Sequence, residues 1–440
     1  MRLTLRILAT LLCLAAVKAV ADTPSIEHWT TPNGARVYFV AAPEIPMIDV
    51  HAVFAAGSAR DGDRKGLANL TNGLLKEGAG ELDADAFNRR LGATGARMHT
   101  GTARDMAYLR LRTLADDRYA EPALDLFTDA VAHPRFDEGA IERLRARVIV
   151  ALKRKKQSPG RIAQDAFFEA LYADHPYASP TDGTEQSVAG FERSDILNFH
   201  KRHYVAQNVV IAIVGALNKA RAKQIADAIT SPLVAGEKAG VLPQTTAPAV
   251  TETHIEFPSI QSHVRVGLPG MRRGDPDYFP LLVGNHALGG NSLVSILFRE
   301  IRAKRGLSYS AYSYFMPMAQ PGPFIAALQT DRTQQAEALK ILYETIEKFV
   351  TNGPPSDDLA AAKNNLIGGF PLRIDSNSKI VEYIAMIGFY DLPLDYLETF
   401  TARVAAVTAE TVKDAFGRRF DIDNLVTVIV GRTSAQADDS

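Results

Sequence analysis

The chain is 440 residues long, more than one ordinary hydrophobic core organises, so two or more domains are expected. A hydrophobic fraction of 46% beside 22% charged residues belongs to a folded protein and excludes a disordered one. Forty-nine basic against fifty acidic residues leave a formal net charge of -1, which gives no ground for a nucleic-acid partner or an electrostatic membrane anchor.

At the N-terminus, Arg2 and Arg6 form a positive segment, residues 7–17 a short apolar core, and Ala19-Val20-Ala21 a small-residue cleavage site. This pattern predicts a signal peptide over residues 1–21, cut before Asp22, and export to the periplasm. The apolar run is shorter than the roughly 20 residues that span a bilayer, so no membrane anchor is expected after cleavage. Cys13, the only cysteine, follows Leu12 rather than a small residue and is not read as a lipoprotein site. The mature chain therefore has no thiol, and neither disulfides nor thiolate chemistry are available to it.

Residues 49–56 (Asp-Val-His-Ala-Val-Phe-Ala-Ala) read as a strand ended by Gly57-Ser58. Residues 66–78, from Gly66-Leu67-Ala68-Asn69-Leu70 to Gly78, read as an apolar helix carrying small and amide side chains. A second helix is expected over residues 83–91, with Asp83 as N-cap and Gly92 as stop. Residues 96–102 and 106–114 look like paired strands, and residues 119–132 and 137–156 like two helices. The basic run Lys153-Arg154-Lys155-Lys156 is taken as a solvated helix end rather than a binding patch. His175-Pro176-Tyr177 to Gly183-Thr184 has turn chemistry. Residues 195–204 are helical, and Val209–Gly215 is a buried strand.

Residues 232–250 lose all periodicity and are rich in Pro, Gly, Ala and Thr, which marks a linker between residues 22–231 and 251–435. Beyond it the order of elements returns, shifted by roughly 215–220 residues. Residues 263–267 match the strand at 49–56, and residues 279–288 the apolar helix. Residues 310–315 and 324–328 match the strand pair, residues 334–350 and 357–367 the two helices, and residues 425–431 the strand at Val209–Gly215. Such a repeat means two related α+β domains.

An ordered set of motifs runs through this frame: Gly57-Ser58-Ala59-Arg60, His175-Pro176-Tyr177 with Gly183-Thr184, and His203-Tyr204 leading into Val209–Gly215. Gly289-Gly290 then precedes Leu297-Phe298-Arg299-Glu300-Ile301-Arg302, and Arg305-Gly306-Leu307-Ser308-Tyr309 closes the set. Together they resemble the pitrilysin/insulinase superfamily, in its mitochondrial processing peptidase-like branch. The resemblance covers nearly the whole mature chain. It implies two homologous domains, each a mostly antiparallel sheet flanked by helices, joined by the linker.

Active members carry His-x-x-Glu-His on the first-domain helix, where two imidazoles bind zinc and the Glu takes a proton from the metal-polarised water. The resemblance puts Asn69, Asn72 and Gly73 at those positions, and Arg147-Val148-Ile149-Val150-Ala151-Leu152 has no carboxylate for the third ligand. No metal and no cofactor are therefore expected in this chain. Arg302 and Tyr309 do have the family's seven-residue spacing of an Arg and a Tyr that meet the substrate. There a phenol stabilises the oxyanion and a guanidinium holds the peptide backbone. The resemblance implies a zinc-less subunit, inactive alone, that lends Arg302 and Tyr309 to the zinc site of a homologous His-x-x-Glu-His partner acting on unfolded peptide. The alternative is a catalytically inactive peptide-binding or scaffold protein of the same fold.

The remaining candidates are weaker. His200 and His203, three apart on a helix, have no carboxylate partner in sequence and are read as structural. His99 lies on a strand that in the family pairs with peptide, which leaves substrate contact and solvent exposure both open. His286 is read as packing. Gly289-Gly290 lacks the Lys and Ser/Thr of a phosphate loop.

Overall fold

The computed structural model describes residues 23–248, 252–291 and 293–432; the expected signal peptide and Cys13 lie outside them. The first half contains β1 (Glu27–Thr30), β2 (Arg36–Ala41), β3 (Met47–Phe54), α1 (Leu67–Leu74), α2 (Ala84–Thr94), β4 (Arg97–Thr102) and β5 (Ala107–Leu114). It continues with α3 (Asp117–Ala132), α4 (Glu138–Lys155), α5 (Pro159–Tyr172), α6 (Arg193–His203), β6 (Val209–Gly215) and α7 (Lys219–Thr230). The second half holds β7 (Glu252–Glu256), β8 (Gln261–Met271), α8 (Tyr278–Asn285), β9 (Ala311–Phe315) and β10 (Gly322–Asp331). After these come α9 (Gln335–Asn352), α10 (Ser356–Gly369), α11 (Asn377–Phe389), α12 (Tyr396–Ala406), α13 (Ala409–Arg419) and β11 (Val426–Gly431).

The strands form two sheets, ordered β1-β2-β6-β3-β5-β4 and β9-β10-β8-β11-β7. In the first, β2 runs parallel to β6 and every other neighbour is antiparallel. In the second, β7 runs parallel to β11 and the rest are antiparallel. Five strands thus recur in the same order and sense, with β1 added to the first sheet. The repeat read from the sequence is a repeat of topology.

Each sheet is covered on one face by a helix from the opposite half. Phe167 and Leu171 of α5 cluster with Ile325, Val426, Val428 and Val430 of the second sheet. Ile380, Val381 and Ile384 of α11 cluster with Val210, Ala212 and Val214 of the first. Glycines admit both crossings: a Cβ on Gly267 would lie 2.9 Å from the Phe167 ring, and one on Gly388 2.4 Å from the Tyr38 ring. With both faces covered, β6 is buried at every residue and reads as an apolar run, while β3 is buried at all but its first residue and includes the buried polar side chains of Asp49 and His51.

Local sequence explains most boundaries, with two corrections, the first being that the apolar helix expected over residues 66–78 ends at Leu74 and residues 78–79 form a short strand. Asp83 caps α2 by accepting the Ala86 N–H at 2.8 Å, but the helix runs through Gly92 and stops at Gly95, which takes the left-handed φ of +68°. Residues 232–248 form no helix or strand, yet they are strapped down. The carbonyl of Gly240 accepts from Arg60, that of Leu242 from Gln320 at 2.9 Å, and Pro243 meets the His175 ring at 2.9 Å.

Candidate functional site

The start of α1 is set by a close approach of two glycines. Gly66 (φ +94°) and Gly183 (φ +78°) meet backbone to backbone, and a Cβ on Gly183 would sit 2.4 Å from the Lys65 carbonyl oxygen. Asp61 caps the helix, accepting the N–H groups of Gly66 and Ala68 at 2.7 Å each. Burial raises its carboxyl to about 7 against the pull of those two bonds.

Along α1 the three positions that the resemblance marks hold no ligand set. Asn72 is buried and spent on structure: its amide donates to the carbonyls of Gly101 at 2.8 Å and Tyr108 at 3.2 Å, and its carbonyl accepts from the Tyr204 hydroxyl at 3.0 Å. It clamps α1 to the β4–β5 hairpin and to the end of α6. At Gly73 a Cβ would meet Leu144 of α4 at 2.9 Å, so the neighbouring helix fills that space. One turn further along α4, Arg147 pairs with Glu77 at 2.6 Å. Zinc takes imidazole, thiolate or carboxylate donors. Two amides, a glycine and a guanidinium do not fit it, and the described residues contain no cluster of three or more His, Cys, Asp or Glu able to hold a metal.

Arg302 and Tyr309 are brought together. Arg302 sits in a wide helical turn, Phe298–Ala303, and the chain reverses at Gly306, whose φ is +66°. Two backbone bonds close that reversal, Gly306 N–H to Arg302 C=O at 2.9 Å and Leu307 N–H to Ile301 C=O at 3.0 Å. Ser308 then anchors the exit by donating to the Gln329 carbonyl at 2.6 Å. The result stacks the guanidinium between two rings, 4.4 Å from the centroid of Tyr309 and 4.9 Å from that of Phe298. Neither Arg302 nor Tyr309 makes a side-chain hydrogen bond or ion pair among the described residues, and Tyr309 is 79% exposed. Phe298, four residues before Arg302 and so on the same helical face, escaped the sequence reading although that spacing signals it.

The Gly289-Gly290 pair serves packing: a Cβ on Gly289 would fall 2.5 Å from the Ser313 nitrogen of β9. His175 is a brace, accepting the Tyr177 N–H at 3.1 Å while its other ring nitrogen meets the strap. His200 bonds the Val131 carbonyl at 2.9 Å and stacks on Tyr204 at 4.7 Å. Burial lowers it to about 4. His203 is also lowered to about 4, first by burial and then by Arg202 and Arg60. His286 contacts Asn365 at 3.1 Å. His99 stands exposed on β4, the edge strand of the first sheet.

Residues 36–185 match the domain described as insulinase (peptidase family M16), and residues 190–366 the peptidase M16 inactive domain. A solved structure described as the peptidase M16 inactive domain from Pseudomonas fluorescens superposes with a TM-score of 0.91. It is 37% identical, and the match covers 94% of this chain and 99% of that one. The chain belongs to peptidase family M16.

Its M16 relatives differ in what their names state. The non-peptidase homolog YmxG of Helicobacter pylori is 24% identical, over 88% of this chain and 89% of its own. The uncharacterized zinc protease YmxG of Bacillus subtilis is 24% identical over 81% and 86%. The mitochondrial-processing peptidase subunit beta of Lentinula edodes is 23% identical over 82% and 80%. Within M16, this chain has inactive domains and a non-peptidase homolog among its relatives, in keeping with the side chains found along α1.

Proposed function

We propose that this chain is the non-zinc subunit of a heteromeric periplasmic metallopeptidase. It supplies half of a substrate chamber, and Arg302 and Tyr309 reach a zinc site whose ligands and base belong to a homologous chain with His-x-x-Glu-His. The observation that carries this is the contrast between α1 and the Arg302 turn. In the former, Asn72 is spent on internal bonds, whereas the latter holds a half-buried guanidinium and an exposed phenol together, neither with a polar partner among the described residues. The stack on Phe298 and Tyr309 fixes the direction of the guanidinium, and a cation over a ring at such a site stabilises it by about 0.5–1 kcal/mol.

In the shared site, the Arg302 guanidinium donates to carbonyl oxygens of an extended peptide backbone. The Tyr309 hydroxyl donates to the oxyanion that forms when that peptide is attacked. The substrate lies as an added strand along the exposed edge of β4, where His99 faces it. A relative named as a subunit of a peptidase, the mitochondrial-processing peptidase subunit beta of Lentinula edodes, supports assembly with a second chain.

Co-expression with a homologous chain bearing the zinc motif tests it. The two are expected to co-purify and to hydrolyse unfolded peptide together, with neither active alone. Full activity of the zinc-bearing chain by itself, unchanged on addition of this one, contradicts the proposal and leaves a scaffold protein.

A further inference from the structure

A second surface lies on the other half of the molecule, where α4 meets the start of α5. A groove of about 720 Å³ is lined there by Ala146, Arg147, Val150, Ala151, Arg154, Lys155, Ser158 and Arg161. No carboxylate is among these residues. Arg147 and Arg154 are seven residues apart, nearly two full helical turns, so both point from the same face of α4 about 10 Å apart. Between them lies Val150, 48% exposed, flanked by small side chains.

The basic run at the end of α4 divides into two sets. Lys155 is engaged by Asp165 at 2.7 Å and Asp182 at 3.3 Å, and Lys156 by Glu185 at 2.7 Å. Arg147 is half-neutralised by Glu77. Arg154 and Arg161 are exposed and have no side-chain hydrogen bond or ion pair among the described residues. The run is therefore not uniformly a solvated helix end. Lys155 and Lys156 are paired within the fold, whereas Arg154, together with Arg161 of α5, is left facing one groove.

We infer that this groove binds an acidic polypeptide segment, with carboxylates on Arg154 and Arg161 and an apolar side chain over Val150. Guanidinium forks match carboxylates in paired hydrogen bonds, and the apolar floor selects a chain that carries hydrophobic residues between its acids. A nucleic acid is disfavoured on two counts. The lining has no aromatic ring on which a base could stack, and the protein's formal net charge is -1. The groove stands on its own residues and does not depend on the role given to Arg302 and Tyr309.

Fluorescence anisotropy with the purified full chain, at 0.15 M salt and without any partner, tests this. A labelled peptide alternating Glu with Leu is compared with its Lys-for-Glu counterpart and with single-stranded oligonucleotide. The acidic peptide is expected to bind tightest, and Arg154→Glu with Arg161→Glu to weaken it about tenfold or more. Lys340→Glu, an exposed charge reversal on α9, is expected to change it less than twofold. Equal binding of the Lys peptide, tighter binding of the oligonucleotide, or indifference to the Arg154/Arg161 double variant overturns the inference. So does an equal loss from Lys340→Glu, which would reduce the effect to net charge.

Discussion

At the scale of single residues, the metal positions were legible from spacing and family pattern, but what replaced the ligands was not. Asn72 bonds to Gly101, Tyr108 and Tyr204, the last of these 132 residues away in the chain. No local pattern announces such a clamp. It follows that the zinc-binding residues of active members cannot simply be introduced here. The triple change Asn69→His, Asn72→Glu and Gly73→His is expected to bind well under stoichiometric zinc by elemental analysis. Leu144 occupies the space beside residue 73, residues 147–152 offer no carboxylate as a third ligand, and Glu at 72 loses the amide donors that hold the hairpin. One zinc per chain in that variant would contradict the packing described here.

Two buried histidines give a second test at this scale. His200 and His203 titrate near 4 in the fold against about 6.5 in an unfolded chain. The native state thus binds fewer protons than the unfolded one between these values. Their stabilisation is complete above about 6.5 and is lost as pH falls through 4, on the order of 3 kcal/mol for each. Asp61, raised to about 7, acts in the opposite sense, its contribution being lost as pH rises through 7. Two imidazoles against one carboxyl leave a net loss on acidification, and the urea midpoint is expected to fall between pH 6.5 and 4. His200→Gln, which keeps a donor for the Val131 carbonyl, should flatten that fall; an unchanged slope would show that His200 is not the source.

At the scale of elements, strands and helices with sharp periodicity were found nearly at their bounds, Val209–Gly215 among them. The helices α5 and α11 went unread, although Ser158-Pro159 is a helix-start signal. Their apolar residues answer a sheet in the other half of the chain, so nothing adjacent in sequence makes sense of them. The glycine contact at the head of α1 is legible in retrospect through Gly183-Thr184, whose reason is steric. Gly183→Ala is expected to cost at least about 2 kcal/mol in urea denaturation, combining left-handed strain with overlap on the Lys65 carbonyl. Gly62→Ala is the comparison: its φ is +55° but nothing lies within 4 Å of the added carbon, so only the strain, about 1 kcal/mol, should appear. Equal losses at the two sites would remove the close approach as the cause.

At the scale of the whole molecule, the repeat and the two-domain plan were visible in the order of elements, but the exchange of α5 and α11 was not. That exchange makes the halves mutually dependent. Residues 22–231 expressed alone leave the Val210 and Val214 face of the first sheet without α11, and they are expected to show no cooperative unfolding transition. In the full chain, Phe167→Ala should cost about 3–5 kcal/mol and lower a single shared transition. Independent folding of residues 22–231, or two separate transitions in the variant, would show that the halves do not need one another.

The central claim is that the chain completes a site it cannot form alone. The most direct measurement is single-turnover peptide hydrolysis by a mixture with the proposed zinc-bearing partner, comparing wild type with Tyr309→Phe and Arg302→Ala at saturating subunit. Removing one oxyanion donor costs about 10²–10³ in kcat, and Tyr309→Phe is expected to fall in that range, while Arg302→Ala chiefly raises KM. Both variants should assemble normally, since neither side chain makes a hydrogen bond or ion pair among the described residues. Wild-type kcat and KM in both variants would contradict the claim and leave α1 and the Arg302 turn as parts of a peptide-binding scaffold.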